Sequence, residues 1–334
     1  MARVRLFWTL ILASFLLLPQ FLWAANDAHS PFSVRNQNPF TRVFGLPMYP
    51  DFNQVNSDQL SVALVADIVN HADASADRGE EVVLDGESYL TNILFRYGAT
   101  GVLELGLDIP LIADHAGFLD AVIEDWHDVI DLSNDNRKGP NNKLRFAYSR
   151  DQIRFYHIDN GSQGIGDIRL SAAYQLHTTV QSGVVVRTGL KLPTGNSDKL
   201  RGSDSTDLSL DLSFYQAMTL WGEGVAISAH TGVLLLGDGD VLSAIQEDVV
   251  IYGGSGLSWK TSDNLYLVTQ FNGQSRYFDS KLDELGSASL QWVIGGKYRW
   301  PSRNLEFGVG LVQDLFSDTT PDVAFHFDLR VVYP

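Results

Sequence analysis

Charged side chains recur at every second position through much of this sequence, a spacing that gathers them on one face of extended segments. Arg96, Glu104, Asp108, Arg169, Arg187, Lys191, Asp207, Asp211, Lys297, Arg299, Glu306, Asp328 and Arg330 share that face, and His230 and His326 join them by parity. Two chemistries suit such a set: a charged eyelet that sorts solutes by size and sign, or a network of paired charges filling a narrow interior. No one-sided ring of charge emerges. Catalysis would need a nucleophile, or an acid and a base, held within hydrogen-bonding reach. No serine or carboxylate stands out as the partner of either histidine, so no enzyme is expected. The stretch 237–248 carries Asp238, Asp240, Glu247 and Asp248, but Leu242 stands where a calcium loop needs its third oxygen ligand. It reads as a solvated acidic loop. Cysteine is absent, which removes disulfides and thiolate metal sites, and neither a metal nor a cofactor is expected.

The elements that would position these charges are strands. From residue 59 onward, runs of about ten residues place large apolar side chains at alternate positions, with polar or small residues between them and a turn after each run. In 287–299, Ala288, Leu290, Trp292, Ile294 and Tyr298 oppose Ser289, Gln291, Lys297 and Arg299; in 322–333, Val323, Phe325, Phe327, Leu329, Val331 and Tyr333 oppose His326, Asp328 and Arg330. Strands are expected near 59–69, 87–97, 101–109, 143–149, 152–158, 166–176, 182–192, 206–217, 223–236, 247–260, 264–275, 287–299, 303–314 and 321–333. That makes about fourteen. If 143–158 is one long strand or an external hairpin, the number is twelve.

A soluble sandwich would alternate in the same way, so loop lengths and aromatic placement decide. Tight turns at 98–100, 177–181, 218–222, 261–263 and 301–302 alternate with longer connections. Tyr97, Tyr174, Trp221, Trp259, Trp300 and Tyr333 crowd the tight-turn side, as in the girdle at a membrane interface. The fold class expected is all-β, an antiparallel transmembrane β-barrel closed on itself because lipid offers no water to unpaired backbone groups. An even strand number puts both termini in the periplasm.

Outside the body, the N-terminus is the only apolar run of note, and it is too short to span. Arg3 and Arg5 precede an apolar run over 6–18, which Pro19 breaks ahead of Ala24 and Ala25. Residues 1–24 read as a secretory signal cleaved after Ala24. With 40 acidic against 24 basic residues the formal net charge is -16, a balance that repels phosphate backbones and excludes nucleic acid as a partner.

Two segments are not staves. Residues 25–58 carry Pro31, Pro39, Pro47 and Pro50, too many for a central strand. This segment either hangs in the periplasm or folds back as a plug, where Arg35, Asn36, Gln37 and Asn38 would bond to inward charges. In the longest connection, 117–132 has helical spacing, with Phe118, Val122, Trp126 and Val129 on one face and Asp120, Glu124, Asp128 and Asp131 on another. Without basic residues on its polar face it is no anchor for anionic lipid. A lid over the mouth and a loop packed for stability both remain open.

Several of these pieces carry a family likeness. PFSVRNQNPFTRVFGLP (31–47), GFLDAVIEDWHDVIDL (117–132), GIGDIRLSAAYQL (164–176), GLKLPTG (189–195) and PDVAFHFDLRVVYP (321–334) together resemble the proteobacterial domain of unknown function 3187, over nearly all of the mature chain. GIGDIRL and LKLPTG are also similar to outer-membrane barrels linked to aromatic-compound degradation by the phenol meta-pathway, a family proposed to move hydrophobic compounds. The first likeness implies a barrel (59–334) in the bacterial outer membrane and transfers no site residue. Such a barrel implies outer-membrane lipid, lipopolysaccharide and the barrel-assembly machinery as partners. Assembly commonly reads a terminal aromatic residue, and here Pro334 follows Tyr333. Three functions stay open: a porin-like channel or transporter for an unidentified small-molecule solute, a closed barrel with a structural or surface role, and a hydrophobic-compound transporter.

Overall fold

The computed structural model describes residues 31–52, 54–117, 143–220, 223–316, 319–321 and 323–334. Among the described residues, fifteen strands form one antiparallel sheet: β1 (Leu60–Asp77), β2 (Glu80–Gly98), β3 (Leu103–His115), β4 (Arg145–Arg150), β5 (Ile153–Ile158), β6 (Ser162–Ile165), β7 (Arg169–Thr178), β8 (Ser182–Lys191), β9 (Asp207–Leu220), β10 (Glu223–Leu235), β11 (Val249–Lys260), β12 (Leu265–Gln274), β13 (Ser289–Trp300), β14 (Leu305–Phe316) and β15 (Val323–Tyr333). The last strand pairs with the first, from Leu60 opposite Tyr333 to Asn70 opposite Val323. The sheet therefore closes, and no backbone edge faces lipid.

Twelve strands, β1–β3 and β7–β15, complete the ring. The expectation of about fourteen is corrected to the lower number. β4 and β5 form an outer hairpin on the far end of β2, with Arg145–Arg150 against Glu80–Asp85. The first two staves are also longer than the alternation suggested. β1 and β2 run on to a two-residue turn in which Arg78 and Gly79 have positive φ (48° and 88°), the geometry of a tight hairpin turn. Beyond Val69 the apolar face shrinks to alanines, so a search for large apolar residues stops there although backbone pairing continues to Asp77 opposite Glu80.

β9 shows why this sheet is a membrane barrel. Leu208, Leu210 and Leu212 are 49%, 53% and 45% exposed, while the residues alternating with them, Asp207, Ser209, Asp211 and Ser213, are buried. A soluble sheet would reverse this. Water-exposed leucines would each forgo about 1.5–3 kcal/mol of burial, a penalty that acyl chains remove. Tyr97, Tyr174, Trp259, Trp300 and Tyr333 are exposed at the tight-turn end; Trp221 lies outside the described residues, as do residues 117–132 beyond Gly117 and the signal segment. Among the described residues no helix is long and apolar enough to cross a membrane, and the one α-helical turn is α1 (Asp283–Gly286).

Residues 31–52 lie within the ring, nearly all buried. Pro31 and Phe32 touch the inner faces of β12–β15, the tip around residues 38–44 packs with the long loops, and the chain returns through Tyr49 and Asp51 to a bridge between Ser57 and Gly98 beside the tight turn of β2–β3. It is a hairpin with both legs at the tight-turn end.

Candidate functional site

The inner wall holds most of its charges in pairs. Arg96 meets Asp108 at 2.5 Å, Arg187 meets Glu104 at 3.5 Å, and Lys191 sits between Asp167 and Asp207 at 3.0 Å each. Lys297 lies 3.0 Å from Asp328 and 3.5 Å from Glu306. His230 contacts Asp211 at 2.8 Å, and His326 contacts Asp67 at 2.7 Å. Arg330 pairs with Asp51 of the inserted hairpin. Cross-strand register explains two of these pairs: Lys191 stands opposite Asp207 and His326 opposite Asp67 once the strands are aligned. Arg299 departs from the set. It shares parity with Lys297 but lies at the tight-turn rim and is exposed, so it faces solvent rather than the interior.

The hairpin is held through its backbone as much as through its side chains. Gln270 accepts from the Phe32 amide at 2.7 Å and donates to its carbonyl at 3.1 Å. Lys297 donates to the Pro31 carbonyl at 3.0 Å, Arg169 to Phe44 at 3.0 Å and Lys191 to Val43 at 3.1 Å, while the Gly45 amide donates to Asp207 at 2.7 Å. Of the hairpin's own polar residues, Gln37 donates to Asp67 at 3.0 Å and Asn36 to the Thr319 carbonyl at 3.0 Å. Arg35 reaches Asn92 and the Leu46 carbonyl, both at 3.5 Å. Asn36 and Asn38 cap the turn, each side-chain oxygen accepting from the amide two residues on, the local bond that suits asparagine to turns.

Sequence reasoning missed much of what fills the lumen. Phe32 sits over Gly295, Gly308 and Gly310; a Cβ built on these glycines would come within 2.8, 2.9 and 3.4 Å of its ring. Phe40 and Phe44 join the aromatic and aliphatic residues of the long loops in one buried cluster. Arg42 pairs with Asp114 at 2.7 Å and donates to Ser88, all buried. Gln270 is an uncharged amide among inward charges, and Asp114 lies beyond residue 109, where the third expected strand ends, so the alternation of charges marks neither. Asp67 lies in SVALVADIV, where both faces are apolar and parity cannot tell them apart.

Among the described residues, a cavity of about 70 Å³ lies inside the ring between the returning leg and β1–β3, β7–β9 and β15, room for a few water molecules. The far mouth is covered too: Ser75 donates to Glu284 at 2.6 Å and Ser280 to Glu80, tying the β12–β13 loop across to the β1–β2 hairpin. Outside this cover, a cavity of about 330 Å³ opens between the β4–β5 hairpin and the loops at 198 and 240–245. Its back wall contains Tyr148 and Tyr156, both in edge contact with Phe40. Burial pushes both phenols up to about 12, so they remain neutral donors. Among the described residues there is no cluster of His, Asp and Glu that could hold a metal.

The backbone is similar to the COG4313 outer membrane channel from Pseudomonas putida F1, with a TM-score of 0.55, 14% identity, and coverage of 85% of this chain and 98% of that one. It is also similar to the NanC porin (TM-score 0.41, 7% identity, 82% and 98% covered) and to the CymD monoaromatic hydrocarbon channel (TM-score 0.38, 10% identity, 91% and 94% covered). At 14% identity the first of these likenesses speaks for the outer-membrane barrel fold alone. No curated protein matches the chain. A family model does, over residues 8–333, and the chain belongs to the family described as Protein of unknown function (DUF3187).

Proposed function

We propose that the protein is an outer-membrane channel or transporter for a small solute, exported by its N-terminal signal and kept shut by residues 31–58. One observation carries this reading: the filling of the lumen enters and leaves at the same end. A hairpin whose two legs both lie at the tight-turn side can withdraw without threading or unfolding the ring. Apart from Arg169 and Arg330, which bond to the hairpin, the charges of the wall it would leave are joined to each other, so that wall could face water at little cost. A barrel filled only for rigidity has no need of a removable filling.

Proteoliposome swelling tests the reading. The mature chain should give slow swelling in isosmotic solutes of graded size, and the chain lacking 26–58 should give fast swelling with a size limit. Equal, slow swelling from both would favour a closed barrel with a structural or surface role.

A further inference from the structure

We infer that the cavity inside the barrel is a binding site for a small oxyanion, the carboxylate or phosphate group of a solute, held by Arg169 and Arg187. As the recognition element of a solute this rests on the channel reading; as a binding site it stands without it.

Two buried arginines of the wall carry donors that lack acceptors. Arg169 is 7% exposed and, among the described residues, has no carboxylate within 4.0 Å; its one hydrogen bond runs from Nη2 to the Phe44 carbonyl. Its Nε and Nη1 are buried with no partner, and so is Nε of Arg187. Both arginines line the same cavity of about 70 Å³. A guanidinium stays charged in any protein setting, and a buried N–H with no acceptor forfeits its hydration without return. Asp108, Asp167 and Asp207 act on this charge only from a distance, and water entering the cavity would satisfy hydrogen bonds without adding a countercharge in contact.

Charge points the same way. Of the five basic side chains that line the cavity, Arg96 pairs with Asp108, Arg187 with Glu104, Arg330 with Asp51 and Lys191 with Asp167 and Asp207, which leaves Arg169 alone without a carboxylate within 4.0 Å among the described residues. Arg35 of the hairpin is repelled by Arg169 and attracted less strongly by Asp108 and by Asp67; its own Nε has no partner, and it too has no carboxylate within 4.0 Å among the described residues. An anion in the cavity would meet the unpaired N–H groups of Arg169 and Arg187 and offset the repulsion between Arg169 and Arg35. The cavity takes a headgroup and not a whole solute, so a larger anion bound there would bear on the hairpin that Arg169 holds through Phe44. Access is from the tight-turn end, where the side chains of Arg330 and Asp51 are 20% and 21% exposed.

Thermal unfolding of the mature chain in detergent, read as sodium phosphate or sodium acetate replaces sodium chloride at constant ionic strength, tests this. A saturable rise in the midpoint is expected, with Arg169→Gln abolishing it and Arg187→Gln raising the half-saturating concentration about tenfold, one hydrogen bond to a charged group. A response to phosphate alone, to acetate alone or to both identifies the headgroup and supports the site. Should Arg169→Gln fail to fold, Arg187→Gln and Arg169→Lys, which keeps the charge but loses the fork, carry the test. Midpoints that track chloride for both anions, or Arg187→Gln and Arg169→Lys responding like the unaltered chain, overturn it. The readout is unfolding and not current, so a barrel that binds without ever conducting would sink the channel reading and leave this site intact.

Discussion

Phe44 stacks on Tyr277, ring centroids 5.2 Å apart and planes 13° from parallel. One ring belongs to the tip of the inserted hairpin and the other to the β12–β13 loop that crosses the mouth, so plug and cover share a single buried cluster. Phe44→Ala should remove about 3–5 kcal/mol from that cluster. Hydrogen exchange should speed up at 39–46 and 275–286 while strand amides keep their protection; unchanged exchange at both segments would show that tip and cover do not depend on each other.

Lys191 is 1% exposed and lies 3.0 Å from both Asp167 and Asp207. Lys191→Met should leave two buried carboxylates without their cation and cost about 3–5 kcal/mol. Asp207→Asn on that background should recover part of the loss, because one stranded charge is then removed. The measure is the midpoint of heat-modifiable mobility in gels, and full stability in the single variant would contradict the pairing.

The recess under Phe32 depends on glycine, since a Cβ on Gly310 would already lie 3.4 Å from the ring. Gly310→Val should fill that space and displace the ring without disturbing the ladder, as valine suits a strand. Faster swelling of proteoliposomes than with the unaltered chain is expected. An unaltered rate together with undisturbed exchange at 31–36 would count against the recess.

Removing 145–158 should leave a closed barrel, because β4 and β5 pair only with each other and with the outer part of β2. The shortened chain should still show the heat-modifiable band of a folded barrel, though with a lower midpoint since Phe146 and Tyr148 leave the buried cluster. Loss of the folded band would mean that these strands belong to the ring.

The ring itself was legible because its rule is local: in β9 every other residue declares its face, and the inward charges follow from parity alone. Strand number was harder to read, since 145–158 alternates like a stave and only the register of β2 shows that it lies to one side. The contents of the lumen were least legible. Phe32 meets Gln270 across 238 residues of sequence, and nothing near either residue marks the other. The prolines showed that 31–58 could not be a strand, but its place depends on glycines, amides and charges scattered over the ring.

The central claim is that residues 31–58 close an otherwise passable ring, and planar-bilayer recording tests it most directly. The mature chain should be nearly silent, the chain lacking 26–58 should conduct steadily, and a synthetic peptide of 26–58 added on the tight-turn side should block that current. Silence after the deletion, or the same steady current with the segment in place, would contradict the account.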